Sequence, residues 1–353
     1  MNRLKKIISL AASLSIFITI TSGCNMPGTS SKNKINVFNW GEYIEPSILK
    51  DFTNKTGIKV NYQTYATNEE MYEKVKSGTN NYDLICPSDY MLDRMRKERL
   101  LQKIDYEKLP NYKNIDDKYK SQSYDKSNEY SVPYMWGTIG ILYDKQKIKD
   151  KINSWNTLWN PKYKGQIFMS DDMRNSIGIS LLRLGYSINS TNAQEIKKAA
   201  NELMKQRSLV NPVYIGDQVK DSMRSGEKEI AFMYSGDAEV LKNEDSSRFE
   251  YVIPKEGTNI WFDNWAIPKN TKNKTAAEKF LNYLLDAKIN KKNVDEIGYA
   301  TPNKATLPLL DSKIRNDKSA YPDKNVLNKC HVFTDLGNAR KLYSDAWLNI
   351  TSK

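Results

Sequence analysis

Apolar residues occur along the chain in two alternating patterns. Short apolar runs of three to six residues are typical of buried strands, and they occupy 35–38, 60–65, 84–86, 139–143, 167–169, 230–234 and 251–253. Segments with the apolar spacing of a helix lie between these runs. This alternation predicts an α/β fold with largely parallel sheets.

Local signals place several helix ends. A helix is predicted to begin at Pro46 and to end before Gly57, because proline favours the first helical turn and glycine the position after the last. Capping boxes are predicted where a threonine precedes a glutamine or glutamate by three residues. The two pairs are Thr191 with Gln194 and Thr275 with Glu278.

Polar and aromatic residues follow several of the predicted strands directly. They lie at 39–43, 87–90, 170–172 and 235–237, and the stretch 260–265 has a similar character. In open parallel sheets the ligand crevice lies outside the carboxyl ends of the strands. These loops are therefore the expected binding site.

The residue types in these loops suit a cation that carries apolar segments. Aromatic faces attract ammonium groups, and carboxylates accept charge-assisted hydrogen bonds from them. A linear polyamine fits this description, although sugar sites also combine aromatic rings with acids. Taken singly, an aspartate such as Asp172 or Asp237 is more often a helix N-cap, Ser88 is either a cap or a ligand contact, and a tryptophan or tyrosine is more often packing.

The N-terminus has the pattern of an export signal. A basic segment precedes the uncharged run 7–20, which is too short for a comfortable transmembrane helix. Small residues then precede Cys24, as in a bacterial lipobox, although Thr21 replaces the usual aliphatic residue. We expect a signal peptide at 1–23, lipidation of Cys24 and a flexible tether at 24–34.

The remaining 330 residues are enough for two domains. They carry 51 basic and 42 acidic residues, a net charge of +9. Because the lysines are scattered and the chain is exported, an anionic membrane surface is a better partner than nucleic acid. The single histidine, His331, argues against triad hydrolysis and multi-histidine metal sites. Export permits a disulfide between Cys86 and Cys330, but the sequence does not show that they meet.

Five segments together resemble the spermidine/putrescine-binding proteins of polyamine ABC importers. These segments are 39–44, 82–88, 155–165, 261–263 and 297–303, and the similarity runs from Asn36 to about Tyr343. The resemblance implies an α/β, two-lobed, type II periplasmic-binding-protein fold with the ligand at the hinge. It implies one lobe at 35–134 plus 265–312 and a second at 135–264 plus 313–353.

The resemblance also implies a set of ligand-binding residues, in which aromatic rings box the alkyl chain and acids hold the amines. The expected set is Trp40, Tyr43, Ser88, Tyr90, Asp172, Tyr234, Asp237, Trp261, Asp263 and Tyr299. Asp263 is the foremost candidate for a central ammonium contact, and Glu42 is a weaker one.

The sequence departs from the family pattern at several of these positions. Asn175 stands where the spermidine binder has a second acid, Tyr234 replaces a boxing tryptophan, and Phe333 stands near a family glutamine. Asp237 adds an acid. The site therefore stays anionic while its charge moves, which leaves the choice between spermidine and putrescine open.

The expected function is solute binding for an ABC importer, without catalysis, cofactor or metal. The expected partners are a polyamine, the permease subunits and the lipid bilayer through Cys24, with the protein a monomer on the extracellular face of the membrane, or in the periplasm of a cell with an outer membrane. Alternatives are a binding protein for an oligosaccharide or another organic cation, an exported glycoside hydrolase that uses two of the aspartates, and an adhesion protein.

Overall fold

The computed structural model describes residues 33–352. The expected signal peptide, Cys24 and the tether as far as residue 32 lie outside the described residues. Among residues 33–352, no helix combines the length and the apolar character needed to cross a bilayer.

The described chain alternates strands and helices, as the apolar pattern predicts. The strands are β1 (Lys34–Trp40), β2 (Lys59–Tyr65), β3 (Leu84–Ile85), β4 (Leu101–Gln102), β5 (Val132–Asp144), β6 (Ile167–Ser170), β7 (Val213–Ile215), β8 (Ile230–Tyr234), β9 (Phe249–Val252), β10 (Ile260–Trp265) and β11 (Ile267–Pro268). The helices are α1 (Pro46–Thr56), α2 (Asn68–Ser77), α3 (Asp89–Lys97), α4 (Met173–Arg183), α5 (Ala193–Val210), α6 (Val219–Ser225), α7 (Ser235–Glu244), α8 (Lys274–Leu284), α9 (Ala287–Ile297), α10 (Ser312–Asn316), α11 (Lys324–Leu327) and α12 (Arg340–Thr351).

Two main sheets carry these strands. The first is parallel, with the order β2-β1-β3. The second has the order β10-β5-β8-β6-β7, with β9 also paired to β5. Its β6 runs parallel to β7 and β8, whereas β5 runs antiparallel to β8, β9 and β10. The short strands β4 and β11 form a separate antiparallel pair.

The long strand β5 changes partners along its length. Its first half pairs with β10, and its second half, from Ile139, pairs with β8 and β9. Isolated bridges then join β3 and the following loop to β10 and the residue after it, at Ile85 with Ala266 and at Ser88 with Asp263. The carboxyl end of β3 is therefore held against β10.

The β10 ladder is irregular at Asp263. The pairing with β5 shifts register between Asp263 and Asn264. Such a bulge bends the strand and redirects its side chains, and it is a frequent feature beside functional sites.

The core fixes the first helix behind the β1–α1 loop. The fully buried Phe52 of α1 packs edge to face on Phe280 of α8, with ring centroids 4.8 Å apart. The helix begins at Pro46 and ends before Gly57, which has φ 73°, so both predicted ends are confirmed.

Both predicted capping boxes are wrong. Helix α5 is capped by Asn192, whose side chain accepts hydrogen bonds from Gln194 N and Glu195 N, because asparagine caps better than the preceding threonine. In α8, Thr275 lies inside the first turn, and the buried Glu278 accepts a hydrogen bond from Asp105 N at 3.0 Å. A tertiary contact thus replaces the expected local one.

Candidate ligand-binding site

The carboxylate of Asp263 is the centre of the candidate site. Its Oδ2 accepts a hydrogen bond from the Tyr43 hydroxyl at 2.7 Å, and its Oδ1 accepts one from the Ser88 hydroxyl at 2.6 Å. Only 6% of the residue is exposed. Burial raises the pKa of Asp263 to about 6, while the two hydrogen bonds act in the opposite direction. The carboxylate is thus oriented and mostly ionised at neutral pH.

Tyr43 and Ser88 reach Asp263 from two strand ends of the parallel sheet. Tyr43 follows β1, and its backbone carbonyl accepts a hydrogen bond from the Tyr134 hydroxyl at 2.7 Å. Ser88 stands at the N-cap position of α3, yet its side chain makes no capping hydrogen bond. Its hydroxyl is directed to Asp263 instead, so the capping alternative is wrong for this side chain.

Sequence reasoning missed Asp89, which ties α3 to β10. Its two carboxylate oxygens accept hydrogen bonds from Tyr90 N at 2.6 Å and from Phe262 N at 3.1 Å. Burial, with a contribution from the charge of Asp263, raises the pKa of Asp89 to about 8. These bonds hold Ser88 opposite Asp263. In sequence an aspartate in a first helical turn gives no sign of this role, because such residues are common there for local reasons.

Aromatic rings line the region beside Asp263. Trp261 meets Tyr299 at a centroid distance of 5.0 Å and Tyr234 at 6.0 Å, both nearly perpendicular. Tyr299 also meets Tyr43 at 5.6 Å. The Trp261 indole N–H finds no hydrogen-bond partner among residues 33–352. The rings form one connected group around the carboxylate.

Two glycines make room for these rings. A Cβ on Gly236 would lie 2.2 Å from Tyr299 Cδ1, and one on Gly137 would lie 2.6 Å from Trp261 Cζ2. Both distances are far below van der Waals contact. Close approach of the backbone to the aromatic rings therefore requires glycine at both positions.

Asp172 lies at the start of α4, next to the aromatic group. It caps the helix, because its Oδ1 accepts a hydrogen bond from Asn175 N at 2.8 Å. The Asn175 side chain in turn donates to the Tyr234 hydroxyl at 2.7 Å. Burial raises the pKa of Asp172 to about 6. The capping alternative is correct here, and the same carboxylate stands beside the aromatic group.

Asp237 is not the cap of its helix but lies in the first turn of α7. Its Oδ2 accepts a hydrogen bond from the Tyr299 hydroxyl at 3.2 Å, and Lys220 Nζ lies 3.6 Å from its Oδ1. Burial raises its pKa to about 6, opposed by the charge of Lys220. Lys220 is a second residue that sequence reasoning missed, since nothing in α6 marks it.

Tyr90 packs next to Phe333. The two rings are perpendicular at 6.3 Å, and the guanidinium carbon of Arg174 lies 4.3 Å from the Phe333 centroid and 5.3 Å from that of Tyr90. Arg174 is buried and donates to the Thr334 carbonyl at 3.2 Å. It too was absent from the predicted set.

Trp40 is the predicted residue with the weakest link to Asp263. Its indole N–H donates to the Cys86 carbonyl at 3.0 Å, and its ring packs on Tyr65 at 4.7 Å. These contacts are those of a half-buried packing residue at the end of β1. Cys86 and Cys330 both carry free thiols, Cys86 in the buried core.

The contacts join most of the predicted residues into one set. Tyr43 and Ser88 meet at Asp263, Tyr299 connects Tyr43 and Trp261 to Asp237, and Tyr234 connects Trp261 to Asp172 through Asn175. Such a group offers carboxylates at three positions around aromatic faces. It can hold a ligand that carries more than one positive charge.

Comparisons with known proteins identify the family. Residues 47–321 match the family model of bacterial extracellular solute-binding proteins. The chain is 40% identical over 325 residues to the spermidine/putrescine-binding periplasmic protein of Salmonella typhimurium, covering 92% of this chain and 93% of the relative. It is 34% identical over 353 residues to a putrescine-binding periplasmic protein of Pseudomonas aeruginosa, covering 94% and 95%.

A solved structure agrees with these relatives. The substrate-binding protein of a spermidine/putrescine ABC transporter from Streptococcus pneumoniae superposes with a TM-score of 0.79 at 35% identity, covering 91% of this chain and 99% of the other. The α/β, type II periplasmic-binding-protein fold is thereby confirmed. The family acts outside the cytoplasmic membrane. The chain belongs to the bacterial extracellular solute-binding proteins.

Proposed function

We propose that this protein binds a linear polyamine, spermidine or putrescine, and delivers it to the permease of an ABC importer. The observation that carries the proposal is the buried Asp263 carboxylate, oriented by Tyr43 and Ser88 within the group of aromatic rings. A buried carboxylate requires a compensating charge, and an ammonium ion supplies it.

The surrounding rings suit the rest of such a ligand. An ammonium over an aromatic face gains about 0.5–2 kcal/mol. The methylenes between amines have no hydrogen-bonding groups, and ring faces such as those of Trp261 and Tyr299 accept them without leaving a polar group unpaired. The Salmonella relative is a spermidine/putrescine-binding protein and the Pseudomonas relative is a putrescine-binding protein, which supports the same ligand class.

Each residue has a proposed role in this binding. Asp263 pairs with a central ammonium and Asp172 with a second, while the aromatic side chains enclose the alkyl chain. The enclosing residues are Trp40, Tyr43, Tyr90, Tyr234, Trp261 and Tyr299. Ser88 orients Asp263, and Asp237 holds the Tyr299 hydroxyl at one end of the group.

The hinge between the two lobes is proposed to lie at β5 and β10. The lobes would comprise 35–134 plus 265–312, and 135–264 plus 313–353. The change of partners along β5 supports this division, because the chain crosses there from one set of strands to another. Closure around the ligand would then report occupancy to the permease.

Attachment to the membrane is proposed to occur through lipidated Cys24, with the protein acting as a monomer. The basic segment, the apolar run and the small residues before Cys24 support this proposal. A multi-chain lipid anchor would hold the protein at the bilayer beside its permease.

Calorimetric titration of the full-length protein in detergent with spermidine and with putrescine tests the function. We expect one-to-one binding with a Kd near 1 μM or tighter, about −8 kcal/mol. Absence of heat with both polyamines, together with binding of an oligosaccharide, would refute the polyamine proposal while leaving the family assignment in place.

A further inference from the structure

A lysine side chain already occupies one end of the aromatic and acidic group. Lys220 of α6 places its Nζ 2.8 Å from Glu42 Oε2 and 3.6 Å from Asp237 Oδ1. Glu42 belongs to the loop after β1, whereas Asp237 belongs to α7. The ammonium of Lys220 therefore lies between the loop after β1 and the first turn of α7.

The two acidic partners of Lys220 differ in their exposure to water. The Glu42 side chain is 82% exposed, so its ion pair is screened by water. The side chains of Lys220 and Asp237 are only 21% and 22% exposed, so their charges act on one another with less screening. Although burial lowers the pKa of Lys220, the hydrogen bond to Glu42 and the charge of Asp237 outweigh it, and Lys220 stays protonated at neutral pH.

The carboxylates of Asp237, Asp172 and Asp263 differ in whether a basic side chain lies beside them. Asp237 has a lysine within salt-bridge distance. In the part of the chain from residue 33 to 352, Asp172 and Asp263 have no lysine or arginine that close. The nearest guanidinium, that of Arg174, packs against the rings of Phe333 and Tyr90. Of these three, Asp172 and Asp263 thus remain for ligand ammonium groups, whereas Asp237 has a cation of its own.

We propose that Lys220 is a specificity-determining residue, whose ammonium takes the position beside Asp237 where the third ammonium of a triamine would pair. Resting on the proposed polyamine function, this makes the site selective for diamines such as putrescine over triamines such as spermidine. A diamine matches the carboxylates of Asp172 and Asp263. A triamine that extends to the Asp237 end of the group must bring its third charge close to Lys220, which is unfavourable.

The test compares putrescine and spermidine on the same full-length proteins by calorimetric titration. Wild type is expected to bind putrescine more tightly. In Lys220→Met the ratio of the spermidine Kd to the putrescine Kd should fall by about tenfold or more, the scale of one partly buried charge pair. Lys205→Met on α5 removes the same charge from an exposed lysine that pairs with Glu202, and its ratio should equal that of wild type.

A double variant separates the proposed cause from a general loss of structure. If Lys220 acts by occupying Asp237, then Lys220→Met with Asp237→Asn should lose the gain in spermidine binding seen in the single variant. Lys220→Gln serves where the methionine variant melts early, and Lys220→Arg should keep the diamine preference.

Three outcomes would overturn the inference. Tighter binding of spermidine than putrescine by wild type contradicts the diamine preference, and an unchanged Kd ratio in both Lys220→Met and Lys220→Gln contradicts the role of Lys220. A gain that persists in the double variant contradicts the role of Asp237. Failure of wild type to bind either polyamine would instead refute the proposed function, and this inference with it.

Discussion

The side chains that contact Asp263 are far from it in the sequence. Tyr43 is 220 residues away and Ser88 is 175 residues away. The carboxyl ends of the strands led to Tyr43 and Ser88, because loops at that edge of a sheet meet in space, whereas Asp263, which lies within β10, was named from the family resemblance. Asp89 and Lys220 were not predicted, since their importance depends on backbone and ion-pair contacts that local sequence does not encode. At the scale of single residues, the charge and burial of Asp263 lead to predictions for a substitution and for the pH dependence of binding.

Asp263→Asn keeps the shape of the side chain and removes its charge. Loss of a charge-assisted hydrogen bond from a buried ammonium should raise the Kd for the tighter-binding polyamine by about 30-fold to 1000-fold, or about 2–4 kcal/mol. Thermal unfolding should show stability within about 1 kcal/mol of wild type at pH 7, since an isosteric group replaces a desolvated charge.

Calorimetric titration measures the affinity, and Asp345→Asn, an exposed change on α12, serves as the control. An affinity within threefold of wild type in Asp263→Asn would contradict the assigned role.

Binding should depend on pH with a sign opposite to that of stability. The pKa of Asp263, like that of Asp172, is raised by burial to about 6, from an ordinary value near 4. Polyamines pair with the ionised carboxylates, so affinity should increase as the pH rises from about 5 to about 7 and then level.

The protein without ligand should behave in the reverse way. Between about pH 4 and pH 6 the folded state binds more protons at these carboxyls than the unfolded state, so their contribution to the unfolding free energy falls as the pH rises. Calorimetric titrations at pH 5 to 8 measure how the affinity changes with pH. Melting curves over pH 4 to 7 measure how the stability without ligand changes with pH. A higher affinity at pH 5 than at pH 7 would contradict the assignment.

At the scale of elements, the apolar runs located seven strands, and each run overlaps a strand of the structure. The two-residue strands β4 and β11 are too short to give a periodic signal. The antiparallel course of β5 was also missed, because strand direction depends on partners that are distant in sequence. The predicted helix caps were wrong where two polar residues compete for the position or where a tertiary contact replaces the local one. The cap of α5 can be tested by mutation.

Replacement of the true cap of α5 should be costly and that of its predicted cap should not. Asn192→Ala removes the acceptor for two backbone N–H groups, and we expect a loss of about 1 kcal/mol in unfolding free energy. Thr191→Ala should change it by less than about 0.5 kcal/mol. Urea unfolding of both variants decides the matter, and equal losses would contradict the capping assignment.

The close approach of α7 to Tyr299 makes a stronger prediction. In Gly236→Ala the new methyl group would lie 2.2 Å from the Tyr299 ring, so the ring or the helix must move. We expect a loss of about 1–3 kcal/mol in stability, as for other overpacked sites, together with weaker polyamine binding. Gly41→Ala is a matched control near the site, because its methyl would lie 3.8 Å from Asp217 Oδ2, an ordinary contact. Wild-type melting and binding in Gly236→Ala would show that Tyr299 is free to move.

At the scale of the whole molecule, a mature chain with a net charge of +9 after removal of residues 1–23 is proposed to bind a polycation. The overall charge repels the ligand at long range, whereas the carboxylates of Asp263 and Asp172 attract it at contact in a less polar environment. Lowering the ionic strength from 0.15 M to 0.01 M extends the screening length from about 8 Å to about 30 Å, so the repulsion acts over a longer distance. If the local carboxylates dominate, the association rate, followed by tryptophan fluorescence in stopped flow, should fall by no more than about threefold over this range. Asp263→Asn, which weakens the local attraction, should show a steeper decrease. A tenfold or greater slowing of wild type at low salt, reversed on adding salt, would mean that the global field controls capture and that the site does not draw in its ligand.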